Sequence, residues 1–308
     1  ENEWFRALDD EKQATPRTTS SAAKTAPHSK MCSEIPSGTK AYMSLYPEQS
    51  TDAQLRLGNI VPDFAAETTQ GPISSFHEWK KDKWAILFSH PADFTPVCTT
   101  EIGRLALKYD ELASMDCLVA TLSVDPVKSH EEWLRDVVAH CDNKIEIKFP
   151  IIGDADRKIS TAYGMLDAGT SAEQDLPLTI RAVFIINPEN KLMLTLNYPA
   201  CVGRSMDEIV RCVKALKLSY GKSIATPANW PNNHETVMKD GKPTTEFKGS
   251  VFLLPTVSKE DADKSYPGYL TCDLPSKQEY LRLVKADTVG GPVGDAEKKS
   301  GLLGFLGL

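Results

Sequence analysis

The stretch WAILFSHPADFTPVCTTE, residues 84–101, decides how this chain is read. Trp84-Ala85-Ile86-Leu87-Phe88 is apolar throughout, the pattern of a short strand buried on both faces. An elbow with two prolines follows. Thr95 is a good helix N-cap, and Pro96 then stands at the first helical position, where its missing N–H removes no bond. A helix is predicted over 97–115, with Ile102, Leu105, Tyr109 and Leu112 on one face. Cys98 is then the third helical residue, a position that carries a carboxylate in a capping box. The unpaired N–H groups and the positive end of the helix dipole favour thiolate over thiol there. Free cysteines are nonetheless most often buried and unreactive. Spacing alone leaves both readings of Cys98 open.

Outward from this stretch, strands and helices alternate between residues 55 and 220. CLVATLSVD (117–125) reads as a second buried strand and SHEEWLRDVVAH (129–140) as an amphipathic helix. IRAVFIIN (180–187) and KLMLTLNY (191–198) flank a Pro188-Glu189-Asn190 turn and read as a hairpin. SMDEIVRCVKALKLSY (205–220) is a helix opened by a Ser205-x-x-Glu208 capping box. The order predicts an α/β fold with a mixed sheet flanked by helices.

Residues 221–286 are punctuated by six prolines, at 227, 231, 243, 255, 267 and 275, and read as a smaller, loop-rich second domain. KDGKPTTEFKG (239–249) is a polar excursion within it. Residues 1–54 are rich in Ser, Thr, Ala and Lys and poor in apolar anchors, the composition of a flexible extension. Residues 287–308 read as a Gly-rich tail.

The 308 residues carry a net charge of −7, which argues against a nucleic-acid footprint. No apolar run approaches the roughly 20 residues of a membrane-spanning helix. No signal peptide is visible, and Glu1, Glu3, Asp9, Asp10 and Glu11 speak against a transit peptide. Seven widely spaced cysteines without a CxxC pair form neither a disulfide framework nor a zinc pattern, so a reducing, cytoplasmic setting is expected. Six scattered histidines show no metal signature, and no cofactor is expected. Cys117, opening an apolar strand, and Cys212, within a helix, read as packing residues.

Pro91-x-x-x-Thr95-x-x-Cys98 resembles the active-site signature of the peroxiredoxin family, and SHPADFTPVCTTE its one-cysteine, peroxiredoxin-6-type subfamily. LGNIVPDFAAETTQGPISSFHEW, FPIIGDADRKISTAYGML, TIRAVFIINPENKL, YPACVGRSMDEIVRCVKALKL and ATPANW are similar to family segments, so the likeness runs from about residue 55 to 286. The resemblance implies a thioredoxin-like fold, a small C-terminal dimerisation domain over 221–286 and a homodimer. It implies reduction of hydrogen peroxide and organic hydroperoxides by Cys98 through a sulfenic acid. Thr95 would hydrogen-bond peroxide and thiolate, Pro91 would shield the sulfur, and Arg181 would stabilise thiolate and departing oxygen. Glu101 would orient the arginine, His90 would line the pocket, and Arg204 would support the site.

The chain also departs from family patterns. Two-cysteine members carry a resolving cysteine in a C-terminal Val-Cys-Pro segment, where ATPANW here has Thr226. An external thiol or other reductant is therefore expected, with Cys141 and Cys201 as possible substitutes. Some one-cysteine members carry a phospholipase site of His, Ser and Asp. Its matching positions are His77, Lys83 and Glu189, and a lysine supplies no hydroxyl to acylate, so no lipase activity is expected by that route. A second reading is non-enzymatic: a structural or chaperone-like peroxiredoxin, anchored through residues 1–54 to an assembly partner.

Overall fold

The computed structural model describes residues 55–167, 177–233, 237–239, 242–244 and 248–289. The expected extension over 1–54 and nearly all of the expected tail lie outside them. In chain order the elements begin with α1 (Phe76–Lys80), β1 (Trp84–Ser89), α2 (Pro96–Ser114), β2 (Cys117–Ser123) and α3 (Val127–His140). There follow β3 (Ile151–Gly153), α4 (Lys158–Ala162), β4 (Arg181–Ile186), β5 (Leu192–Tyr198) and α5 (Met206–Ser219). Beyond these lie β6 (Ile224–Ala225), β7 (Val237–Lys239), β8 (Lys242–Thr244), β9 (Ser250–Leu253), α6 (Lys259–Ser265), β10 (Leu270–Thr271) and β11 (Arg282–Lys285).

Five strands form one sheet in the order β3-β2-β1-β4-β5. β1 runs parallel to β2 and antiparallel to β4, and β2 is parallel to β3, so the sheet is mixed. β1 is central and buried along its whole length, which is why its sequence is apolar rather than alternating. Its two faces feed two cores. Trp84, Ile86 and Phe88 pack with residues of α2, α3 and α5, whereas Ala85 and Leu87 pack with Phe76 of α1 and Ile159 of α4. The architecture is the thioredoxin-like sandwich of helices on both sides of a mixed sheet.

The same parity decides where Arg181 points. Val183 and Ile185 of β4 lie in the α2-side core, and Arg181, two residues earlier, shares their face. β4 is antiparallel to β1, with Val183 opposite Phe88. The start of β4 therefore lies beside the end of β1, where the elbow begins.

Two expectations need correction. Thr95 is the N-cap of α2, with extended backbone, but its side chain makes no capping bond. Its hydroxyl donates to the Ala92 carbonyl at 3.0 Å instead, a nearer acceptor within the elbow. Ser205 does cap α5 by accepting from the Glu208 N–H, yet the box stays half-made: the Glu208 carboxylate is taken by the Arg211 guanidinium at 2.6 Å.

The segment after α5 is also more ordered than its prolines suggest. β10-β11-β9-β6 form a four-stranded sheet, and β7 and β8 pair antiparallel across the start of the expected polar excursion, β7 beginning two residues before it. Ile224, Val251, Leu253 and Val284 build a core there, against which Ala215 and Leu218 of α5 pack.

Lys80, the last residue of α1, is fully buried. Its ammonium donates to four backbone carbonyls: Lys81 at 3.0 Å, Lys83 at 2.9 Å, Asn187 at 2.9 Å and Pro188 at 3.1 Å. This cage ties the entry of β1 to the β4–β5 turn. Burial pulls the Lys80 pKa down.

Candidate active site

Cys98 has no exposed surface and lies in the core between α2 and the sheet. It is the third residue of α2, after Pro96 and Val97. Because Thr95 makes no capping bond, the first N–H groups of α2 are not consumed by its hydroxyl. The positive end of the helix thus faces the sulfur's neighbourhood.

Arg181, only 3 % exposed, donates from Nη1 to Cys98 Sγ at 3.2 Å across 83 residues of sequence. The same nitrogen donates to Glu101 Oε2 at 2.9 Å. The Ala200 carbonyl fixes the other edge of the guanidinium, accepting from Nε at 2.9 Å and Nη2 at 2.7 Å. Arg204 grips Glu101 from the far side: its backbone N–H and Nε donate to Oε1 at 2.8 and 2.9 Å, and Nη2 donates to Oε2 at 2.7 Å. Arg204 also lies over the Phe88 ring, 5.3 Å from its centroid. Burial alone would raise the Glu101 pKa, but the bonds and charge of Arg204, with Arg181 behind them, hold it below the usual carboxylate range.

Two buried guanidiniums face one buried carboxylate, which leaves one positive charge in surplus. The sulfur is the group placed to receive it. An arginine cannot lose its charge by deprotonation, so the surplus is permanent.

Behind the elbow lies a second buried network. Asp93 Oδ1 faces His90 Nε2 at 3.1 Å, Asp93 Oδ2 faces His130 Nδ1 at 2.8 Å, and the Ser129 hydroxyl donates to Oδ2 at 2.7 Å. Burial would raise the Asp93 pKa, but bonds from His130, His90 and Ser129 outweigh it and hold the group well below the usual carboxylate range. His90 is 1 % exposed, and burial pushes its pKa down. Its ring packs on Trp133, with centroids 5.2 Å apart. His90 points inward because a carboxylate and an indole hold it there, and it does not border the open groove at the start of α2. Pro91 is buried as well.

His90, Asp93 and His130 form a group able to hold a metal ion by type and proximity. Their facing atoms are 2.8 to 3.1 Å apart and already hydrogen-bonded, so an ion would have to displace those protons.

An open groove of about 370 Å³ adjoins the start of α2, bordered by Phe94, Thr95, Pro96, Thr99, Trp133 and His140 among others. Cys98 does not border it. Phe94 is 57 % exposed and has φ +53°, a left-handed conformation costing a non-glycine residue about 1–2 kcal/mol.

The other cysteines separate by environment. None of the six described is in a disulfide. Burial pushes the Cys117 thiol up to about 12 and, with the Glu208 carboxylate beside it, the Cys212 thiol up to about 11. Both fit the packing role expected of them. Cys141 is half-buried against α2, where a Cβ added at Gly103 would lie 2.7 Å from its sulfur. Cys201 is exposed, one residue from the carbonyl that holds Arg181. Thr226 directly follows β6 and is half-buried.

The matched lipase positions are engaged elsewhere. Lys83 pairs with Asp116 at 2.7 Å, His77 Nε2 faces the Val61 carbonyl at 3.0 Å, and Glu189 accepts from Asn187 and Tyr220.

The thioredoxin-like sheet here presents a buried cysteine, at a helix start, to a fixed arginine. A family model described as the AhpC/TSA family matches residues 57–195. Peroxiredoxin-6 of Homo sapiens is 44% identical over 231 residues, covering 74% of this chain and 96% of that protein. The 1-Cys peroxiredoxin of Onchocerca volvulus is 42% identical over 236 residues, covering 74% and 95%. A cysteine-to-serine mutant of peroxiredoxin 6 of Arenicola marina superposes with TM-score 0.67 at 36% identity, covering 75% of this chain and 98% of that one. The chain belongs to the peroxiredoxin family, in its one-cysteine, peroxiredoxin-6-type branch. It is a thiol peroxidase.

Proposed function

We propose that Cys98 is the peroxidatic residue and that the chain reduces hydrogen peroxide and organic hydroperoxides through a sulfenic acid on its sulfur. The observation that carries this is the 3.2 Å contact from Arg181 to Cys98 Sγ inside a buried cluster with one surplus positive charge. A thiolate there attacks the distal peroxide oxygen. The S–O bond forms as the O–O bond breaks, and the departing hydroxide or alkoxide leaves with the electron pair and takes up a proton. Arg181 is placed to stabilise charge at the sulfur and on the leaving oxygen. Glu101 and Arg204 hold that guanidinium, Thr95 offers its hydroxyl oxygen as acceptor to the peroxide while its own proton goes to the Ala92 carbonyl, and Pro91 shields the sulfur. Cys98 has no exposed surface, so reaction requires a small opening of the elbow.

An external thiol then reduces the sulfenic acid, because Thr226 stands where two-cysteine members have their resolving residue. A solved structure of the yeast mitochondrial 1-Cys peroxiredoxin, 36% identical with TM-score 0.63 and covering 75% of this chain and 100% of that one, carries the description of thiol resolution through the glutathione and thioredoxin systems. That supports the same class of reductant here. The seven widely spaced cysteines without a CxxC pair suit a reducing compartment such as the cytoplasm. The working form would be the homodimer of the family resemblance.

The test is one equivalent of hydrogen peroxide followed by a sulfenic-acid trap and peptide mapping. Label is expected on Cys98 and absent in Cys98→Ser. Label elsewhere, or peroxide consumption unchanged by the substitution, refutes the mechanism.

A further inference from the structure

We propose that Asp93 is a positioning residue for the peroxidase reaction, the internal anchor that holds the 90–95 elbow over Cys98. The inference rests on Cys98 being the reacting thiol. The elbow is tied at its start through the backbone: the His90 N–H donates to the Leu122 carbonyl at 2.9 Å, and the His90 carbonyl accepts from the Thr179 hydroxyl at 2.6 Å. Beyond that start, residues 91–95 belong to no helix or strand, the Thr95 hydroxyl bonds back to the Ala92 carbonyl within the elbow, and the Phe94 side chain is exposed.

Asp93 ties this segment to several separate elements at once. Its carboxylate collects His130 Nδ1 and the Ser129 hydroxyl from the first turn of α3, and His90 Nε2 from the elbow itself. Its backbone N–H donates to Asp125 Oδ2 at 2.8 Å, just past β2. His130 in turn reaches the Ile152 carbonyl of β3 through Nε2 at 3.1 Å. One turn along α3, Trp133 Nε1 donates to the Thr99 hydroxyl of α2 at 3.0 Å. The elbow is thereby referenced to α3, which is itself referenced to the helix bearing Cys98.

Asp93 is not a hydrogen-bond partner of Cys98, Arg181, Glu101 or Arg204. Those four are held by α2, β4 and the 200–204 segment. Loss of the anchor should move Thr95 and Pro91 relative to the sulfur while leaving the charge cluster in place. Peroxide, which must be oriented for in-line attack, should suffer. A small alkylating reagent needs the same opening and the sulfur's nucleophilicity but not the orientation by Thr95 and Pro91, and should suffer much less.

The experiment compares Asp93→Asn with the wild-type full chain in two rates at Cys98: oxidation by hydrogen peroxide and alkylation by iodoacetamide. Oxidation is expected to fall by about thirtyfold or more, the scale of a sub-ångström to 1 Å misplacement, with alkylation within about threefold. A purely structural role would lower thermal stability and leave the ratio of the two rates unchanged, which would overturn the inference. Parallel loss of both rates would also overturn it, because the charge cluster would then have been the casualty. Ser129→Ala removes a single donor and covers the case in which Asp93→Asn does not fold. It is expected to shift the same ratio in the same direction by about threefold, and an unchanged ratio refutes the anchor. Failure of wild-type Cys98 to oxidise would refute the peroxidatic reading itself, a result distinct from either variant's.

Discussion

Glu101→Gln is the sharpest test of the buried charge cluster. The substitution keeps shape and removes charge. Glu101 accepts four hydrogen bonds, two at each oxygen, from Arg181 and Arg204. A glutamine keeps one oxygen as acceptor and turns the other site into an NH2 group facing donors. Two bonds to a charged acceptor are lost, at about 1.5–3 kcal/mol each. Breaking a buried pair by removing one partner costs about 3–5 kcal/mol, which agrees. For a unit of this size each kcal/mol lowers Tm by about 2–4 °C, so a fall of roughly 6–20 °C is expected. The assay is calorimetry on the reduced protein. The peroxide rate should fall too, because Arg181 loses the group that aims it. A Tm within about 2 °C of wild type would show that the cluster is not a mutual support.

Other outcomes follow from the same contacts. Asp93 and Glu101 both have folded pKa values below their unfolded ones, so they bind fewer protons folded than unfolded. Their stabilisation is complete above the unfolded value near pH 4 and is lost as pH falls through the folded values. Tm should therefore drop on acidification from pH 5 towards 3, and less steeply in Glu101→Gln; equal slopes would refute the linkage. Gly103→Ala should destabilise by about 1–3 kcal/mol through the Cys141 sulfur, and Cys141→Ala should restore most of the loss in the double variant; chemical denaturation reads both. Under native conditions a thiol reagent should modify Cys201 and spare Cys117 and Cys212, whose thiols lie at about 12 and about 11; early labelling of either would contradict their burial. Lys80→Met should cost about 2–4 kcal/mol, by orphaning caged carbonyls, while leaving the peroxide rate unchanged.

The strand, elbow and helix around Cys98 were legible because their signals are local: an apolar run, a proline at a helix start, a 3.6-residue stripe. The hairpin of β4 and β5 was legible for the same reason. The Arg181 contact was not, since an arginine opening a strand is ordinarily a solvated rim residue, and only family resemblance pointed inward. Strand parity explains it afterwards. Asp93 and His130 carry no local signal, because a buried carboxylate shows only when the donors gathered from α3 are seen around it. Thr95 looked like a capping residue, and a competing carbonyl three residues back took its hydroxyl. The strands after α5 are two to four residues long, too short to carry a period and broken by prolines.

The ammonium of Lys80 occupies the kind of carbonyl nest that elsewhere recruits a dissolved monovalent ion. Here the occupant is tethered to the chain, so it cannot be dialysed away, exchanged or diluted. The join between the entry of β1 and the β4–β5 turn is therefore made by the chain's own cation. It also ties up the backbone of Lys81 and Lys83. In this chain that corner is an internal fastening, built from one buried ammonium and four main-chain oxygens.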